Sequence, residues 1–139
     1  MASLESIEGI GPANAKKLRS AGVRSADGLL KAGGSKKGRK AISSDCGIKE
    51  RTILEWVNRA DLMRIKGVST QYSDLLEAAG VDTVKELSKR RPDNLTAKMG
   101  QVNDAAVAKG RSIVRRPPSQ TEVEKWVAHA KKLRPAVSH

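Results

Sequence analysis

Twenty residues near the start of the chain recur 58 positions later, and this recurrence constrains the fold more than any other feature. Leu4 to Val23 reads LESIEGIGPANAKKLRSAGV, and Leu62 to Val81 reads LMRIKGVSTQYSDLLEAAGV. Leu4, Ile7, Gly9, Leu18, Ala21, Gly22 and Val23 meet identical residues, and Ile10 meets Val68. Ser25 then faces Thr83, and Leu29 faces Leu87. Trp56, Val57 and Ala60 return as Trp126, Val127 and Ala130 at an offset of 70, so the second copy carries about twelve extra residues, placed near 90–118. Self-similarity of this kind predicts two small units, 1–61 and 62–139.

The apolar spacing is helical, and no useful stretch alternates as a strand would. The expected fold class is all-α, with about five short helices in each unit. A short first helix ends near Ile7 or Ile65. A second runs over Pro12–Ala21 or Thr70–Ala79, ending at Gly22 or Gly80, where a helix C-cap favours glycine. Ser25 and Thr83 cap a third helix, and Thr83 with Glu86 spells a capping box. A fourth spans Lys36–Ser44 or Pro92–Asn103. The fifth covers Lys49–Ala60 or Thr121–Leu133, and Ser119 with Glu122 spells another capping box ahead of it. Residues 33–40, GGSKKGRK, read as a flexible approach to a basic helix. Asp45 to Leu54 reads as a further, degenerate helix–turn–helix.

The chain has no Phe, one Tyr and two Trp, so its core must come from Ala, Val, Ile and Leu. Trp56 and Trp126, at helical spacing from their Val and Ala neighbours, read as core; Tyr72 is open to either reading. Lys and Arg number 27 against 15 acids, a formal charge of +12. Such a balance points to a polyanionic partner, nucleic acid before a membrane surface. No apolar run approaches the roughly 20 residues that span a bilayer. A single Cys and the lack of a secretory signal place the expectation in the cytoplasm. No Cys/His group has zinc spacing, and His129 and His139 are too far apart for a site. Lys16 and Lys17 would become nucleophiles only on burial, which nothing in the sequence supports. The chain is expected not to be an enzyme and to need no cofactor.

The chemistry concentrates in Ile7-Glu8-Gly9-Ile10-Gly11-Pro12. Glycines allow a tight exposed turn, and Pro12 suits the first turn of the helix that follows. That helix start leaves amides unpaired and carries partial positive charge, the requirements of a phosphate site. The same turn also serves as a plain helix–helix connection.

Ile7 to Leu18 resembles the helix-hairpin-helix DNA-binding motif, with hydrophobic-x-Gly-hydrophobic-Gly ahead of Ala15 and Leu18. Gly9 to Pro12 with Ala15, Leu18, Gly22 and Leu29 is also similar to the hairpin in the lyase domain of DNA polymerase beta. The whole chain resembles an uncharacterised bacterial family of tandem helix-hairpin-helix proteins, described as a domain of unknown function. The resemblance implies that the backbone amides of Gly9, Gly11, Ala13 and Asn14, around Ile10, hold a DNA phosphate. It also implies that the carbonyls of Glu5, Ile7 and Ile10 can hold Na+ or K+ bridging to that phosphate. Such contacts position a protein on duplex DNA without reading its bases.

Lys16, Lys17 and Arg19 lie beside the turn. In the second copy Gly67 is retained, but Ser69 replaces the second glycine and Thr70 the proline, and Asp74 and Glu77 add negative charge. That turn reads as scaffold first, with Ser69 able to meet a phosphate. Basic clusters follow each turn. Residues 24–49 hold seven Lys or Arg, among them Lys36, Lys37, Arg39 and Lys40, against two Asp; residues 85–116 hold nine against three acids. These suit a binder that tracks the phosphate backbone. The sequence thus predicts a sequence-tolerant DNA-binding protein. The alternative is a non-catalytic protein-interaction scaffold with a protein partner.

Overall fold

The computed structural model describes residues 3–138; His139 lies outside them. Among the described residues the chain forms eight α-helices and no strand. They are α1 (Gly11–Ser20), α2 (Ala26–Gly33), α3 (Lys36–Cys46), α4 (Glu50–Leu62), α5 (Thr70–Ala78), α6 (Val84–Ser88), α7 (Pro92–Ala108) and α8 (Gln120–Lys132). A single 3-10 turn, Leu4–Ser6, precedes α1. The separate helix expected to end near Ile65 is not formed; α4 continues to Leu62, and residues 63–67 are turn.

The chain divides into two compact units. One is Met1–Asp61 with Pro135–His139, and the other is Leu62–Arg134. The final segment from Pro135 therefore belongs with the first unit, not with residues 62–134 as its position in the sequence implied.

In the first unit, Leu4, Ile7, Ile10, Ala15, Leu18, Leu29, Ile42, Ile53, Trp56 and Val57 are buried together with smaller residues. Helix α1 supplies Ala15 and Leu18 from one face. It ends where Val23 N–H reaches the Leu18 carbonyl (2.9 Å) and Gly22 N–H reaches Arg19 (3.0 Å), with Gly22 at φ +90°. This pair of bonds satisfies carbonyls the helix would otherwise leave open. Ser25 caps α2 through Gly28 N–H, and Ser35 caps α3 through Gly38 N–H, each at 3.0 Å.

The glycine-rich stretch before α3 is packed rather than flexible. A Cβ on Gly33 would come within 2.8 Å of Val57 Cγ2. One on Gly38 would run into the Ala32 carbonyl, and one on Gly34 into the Ala136 carbonyl. These glycines serve close approach of α2, α3 and the C-terminal segment. Arg39 closes the same corner. It is 3% exposed and donates to the carbonyls of Gly33 (2.9 Å), Gly34 (3.0 Å) and Ser138 (2.6 Å). Ser138 N–H in turn reaches the Gly34 carbonyl at 2.8 Å.

In the second unit, α6 and α7 pack on α8, and α5 packs on α7. Leu62, Ile65, Leu75, Leu76, Val81, Leu87, Leu95, Met99, Val123 and Trp126 lie in its core. Helix α7 runs past the expected end at Asn103 to Ala108, and Gly110, φ +89°, turns the chain just beyond it. Asn103 is buried and pins the following segment to α7. Its Oδ1 accepts from the amides of Ile113 (2.8 Å) and Val114 (3.0 Å), and its Nδ2 donates to the Val114 carbonyl (3.2 Å). A buried amide with both ends satisfied, beside Val114 in the core, fixes the loop after α7.

The capping box at Ser119 and Glu122 is complete. At Thr83 only one half forms, because the Glu86 carboxylate pairs with Arg90 at 3.1 Å instead. The Arg116 guanidinium, with help from the Ser119 amide, holds the Glu122 carboxyl down at about 2. A carboxylate held below its unfolded value stabilises the fold fully above that value, and the contribution fades as pH falls toward the folded value. Glu122→Gln is therefore expected to destabilise the chain at pH 6, with the gap to wild type closing between the ordinary glutamate range and pH of about 2. Urea midpoints across that range measure it; a gap independent of pH would refute the assignment.

Candidate functional site

The turn before α1 has two glycines in the left-handed region, Gly9 at φ +92° and Gly11 at φ +67°. Between them Ile10 is 2% exposed. Its side chain is an apolar anchor, so only its backbone can belong to a site. Its amide donates to the Ile7 carbonyl at 3.3 Å. A Cβ on Gly9 would also approach Trp56 Nε1 to 3.3 Å. The second unit repeats this relation: Gly67 is at φ +93°, and its Cβ would come within 3.1 Å of Trp126 Nε1. Each Trp is 2% exposed, so neither offers a face for stacking. The sequence marked the Trp residues as core but did not connect them to the turn glycines.

Helix α1 has an open start, and unlike α4, whose first turn carries Glu50, it has no acid there. Ile10 at the N-cap offers no side-chain acceptor, and the first turn holds no acid. Helices α2, α3, α5, α6 and α8 each carry a Ser or Thr cap that takes one of their own amides. Helix α7 also lacks a capping bond at its N-cap, but Asp93 Oδ1 takes the Asn94 amide at 2.8 Å. Gly9, Gly11 and Ala13 are exposed and Asn14 is half-buried. Gly11 and Ala13 lie among the first three helical positions, whose amides the helix leaves without a partner, whereas Asn14 at the fourth bonds back within the helix. Lys16 and Lys17 are exposed on the same helix. Arg19 is tied to Glu5 at 2.7 Å, and that pairing lowers the Glu5 carboxyl below its usual range.

The turn before α5 is closed by its own side chains. Ser69 accepts from Tyr72 N–H at 3.5 Å. Tyr72 turns inward, its ring 5.1 Å from that of Trp126 and its hydroxyl donating to the Arg116 carbonyl at 3.1 Å. Lys66 N–H donates to His129 Nδ1 at 3.2 Å. An open cleft of about 520 Å³ lies beside Gly67, lined by Lys66, Lys125, Trp126, His129 and Lys132 among others.

Of the basic run on α3, Lys36, Lys37 and Lys40 are exposed. Arg39 is not available to an external phosphate, because its guanidinium is buried against three carbonyls. It leaves the candidate set. The reason is geometric: α3 buries one face, and Arg39 shares that face with Ile42.

The three carbonyls suggested for a monovalent cation fit in part. They are neutral oxygen donors, as a hard cation prefers. Yet the Ile7 oxygen already accepts the Ile10 amide, so a cation would share it. Among the described residues no group of three or more His, Cys, Asp or Glu is placed to hold a metal. Burial pushes the Cys46 thiol up, and its Sγ contacts the Lys17 carbonyl at 3.5 Å, an inert rather than a nucleophilic setting. No helix of the described residues is long and apolar enough to cross a membrane.

Fold and turn together define a small all-α protein of two compact units, one of which presents an uncapped, glycine-flanked helix start. The chain belongs to the family described as "Domain of unknown function (DUF4332)", which matches residues 8–133. No curated protein and no solved structure matches it.

Proposed function

We propose that this chain is a sequence-tolerant DNA-binding protein built from two tandem helix-hairpin-helix units, with the first hairpin as its anchor on the phosphate backbone. One observation supports this above the others. The α1 amides of Gly11 and Ala13, at an exposed turn with two positive-φ glycines, have no side-chain cap and no first-turn acid to take them; Asn14, the fourth helical residue, spends its amide inside the helix. Amides and helix dipole then favour the same anion. Lys16, Lys17, Lys36, Lys37 and Lys40 supply long-range attraction from the same unit. The second hairpin, whose Ser69 caps its own helix, acts as scaffold. Backbone contacts give register without base readout, so sequence preference is weak.

The test is a salt titration of binding to a short duplex. If six or more phosphates are neutralised, affinity is expected to fall by roughly 10³–10⁵ between about 50 and 200 mM salt. Duplexes of different sequence are expected to give similar curves. No binding at the lowest salt would remove the DNA reading and leave the protein-interaction scaffold in its place.

A further inference from the structure

We propose that the second unit also holds a DNA phosphate, not at its Gly67 turn but in a basic concavity at the start of α7. A cleft of about 340 Å³ is lined by Lys89, Arg90, Arg91, Asn94, Leu95 and Lys98. The sequence builds it simply. Helix α6 ends at Ser88, and Pro92 keeps Arg91 extended at φ −81°, ψ 125°, so three cations occupy the elbow between the helices. Asn94 and Lys98 stand one turn apart on α7 and face the same way.

The four cations differ in how firmly they are held. Arg90 is fixed: its Nε donates to Glu86 at 3.1 Å and its Nη2 to the Gly80 carbonyl at 3.0 Å. It forms a rigid wall. Arg91 meets Asp93 at 3.2 Å in a pair whose side chains are 75% and 49% exposed. Such an exposed pair is weak and exchanges for a better acceptor. Lys89 and Lys98 are exposed, and among the described residues no carboxylate pairs with them. Asp93 opposes an anion here, and the Glu86 carboxylate lies nearby on Arg90. Arg90 holds Glu86, and Asp93 is released when Arg91 turns to an anion, so the four cations outnumber the two acids by two. The remaining Lys89, Lys98 and Arg91 donors suit a phosphate, whose oxygens accept several charge-assisted bonds at once.

This inference rests on the DNA reading above, and one experiment separates the two. Binding of the full chain to a short duplex is measured across salt for wild type, for Lys89→Gln/Lys98→Gln, and for Lys125→Gln/Lys132→Gln. The last removes equal charge from exposed α8 positions of the same unit. The first double variant is expected to lower the salt slope by about one to two and to weaken binding roughly tenfold or more near 100 mM. The α8 variant is expected to keep the wild-type slope. Thermal melting of all three is expected to coincide, because the substitutions are exposed. Wild-type binding with an unchanged slope in Lys89→Gln/Lys98→Gln overturns the cleft alone. Equal losses in both variants overturn it too, reducing it to net charge. Failure of wild type to bind any duplex overturns the DNA reading beneath it.

Discussion

Ala13→Asp is expected to make the protein more stable and a poorer DNA binder at the same time. Ala13 is exposed in the first turn of α1, where there is no acid and no side-chain cap. A carboxylate there takes a free amide and complements the helix dipole, stabilising the helix by about 0.3–1 kcal/mol. Helix α7 carries an acid one position earlier in its first turn, with Asp93 Oδ1 on the Asn94 amide at 2.8 Å. The same carboxylate occupies the amides a phosphate needs and repels it. Two like charges about 4 Å apart near a protein surface cost about 1–4 kcal/mol, at least roughly a fivefold loss of affinity. The opposite signs are the value of the variant. A substitution that damages folding lowers both quantities, and one on an irrelevant surface moves neither. Thermal melting and duplex titration on the same sample decide it. A raised melting temperature with unchanged affinity would move the binding site away from α1.

The sequence made the helices legible because their signals are local. Gly22 and Gly80 end helices as C-cap glycines, and Ser25, Thr83 and Ser119 cap the helices that follow them; the Ser35 and Ser69 caps emerged only in the structure. Apolar spacing picked out the buried face of α1, Ala15 and Leu18, for the same reason. What escaped depends on partners far along the chain. Nothing near Gly34 announces that Ala136 will press against it, and nothing near Asn103 announces the Ile113 and Val114 amides. The glycines at 33, 34 and 38 looked like a mobile run because close packing and mobility select the same residue. Their role emerges only once the facing backbone is placed. The turn before α1 shows both limits. Its glycines and proline were visible, whereas the buried Trp56 edge behind Gly9 was not connected to them.

Arg39→Leu is expected to destabilise the first unit by about 2 kcal/mol or more, since the Gly33 and Ser138 carbonyls lose their donor at about 1–3 kcal/mol each while Gly34 keeps the Ser138 amide. The guanidinium joins the end of α2 to the C-terminal segment through Gly33, Gly34 and Ser138. Burial lowers its proton affinity, and Glu50 partly restores it, so the cation remains charged at neutral pH. Leucine fills part of the volume but donates to neither the Gly33 nor the Ser138 carbonyl. Lysine keeps the charge yet lacks the planar fork, so Arg39→Lys is expected to fall between Leu and wild type. Lys36→Gln/Lys37→Gln makes the complementary case. Both side chains are exposed, so stability is expected to stay within about 0.5 kcal/mol while the salt slope of DNA binding falls. Urea unfolding and duplex titration of the three variants read this contrast. Unchanged stability in Arg39→Leu with a reduced salt slope would return Arg39 to the DNA-contacting surface. The expected pattern instead divides one basic run by orientation, with the lysines facing solvent and the arginine holding the corner that keeps them in place.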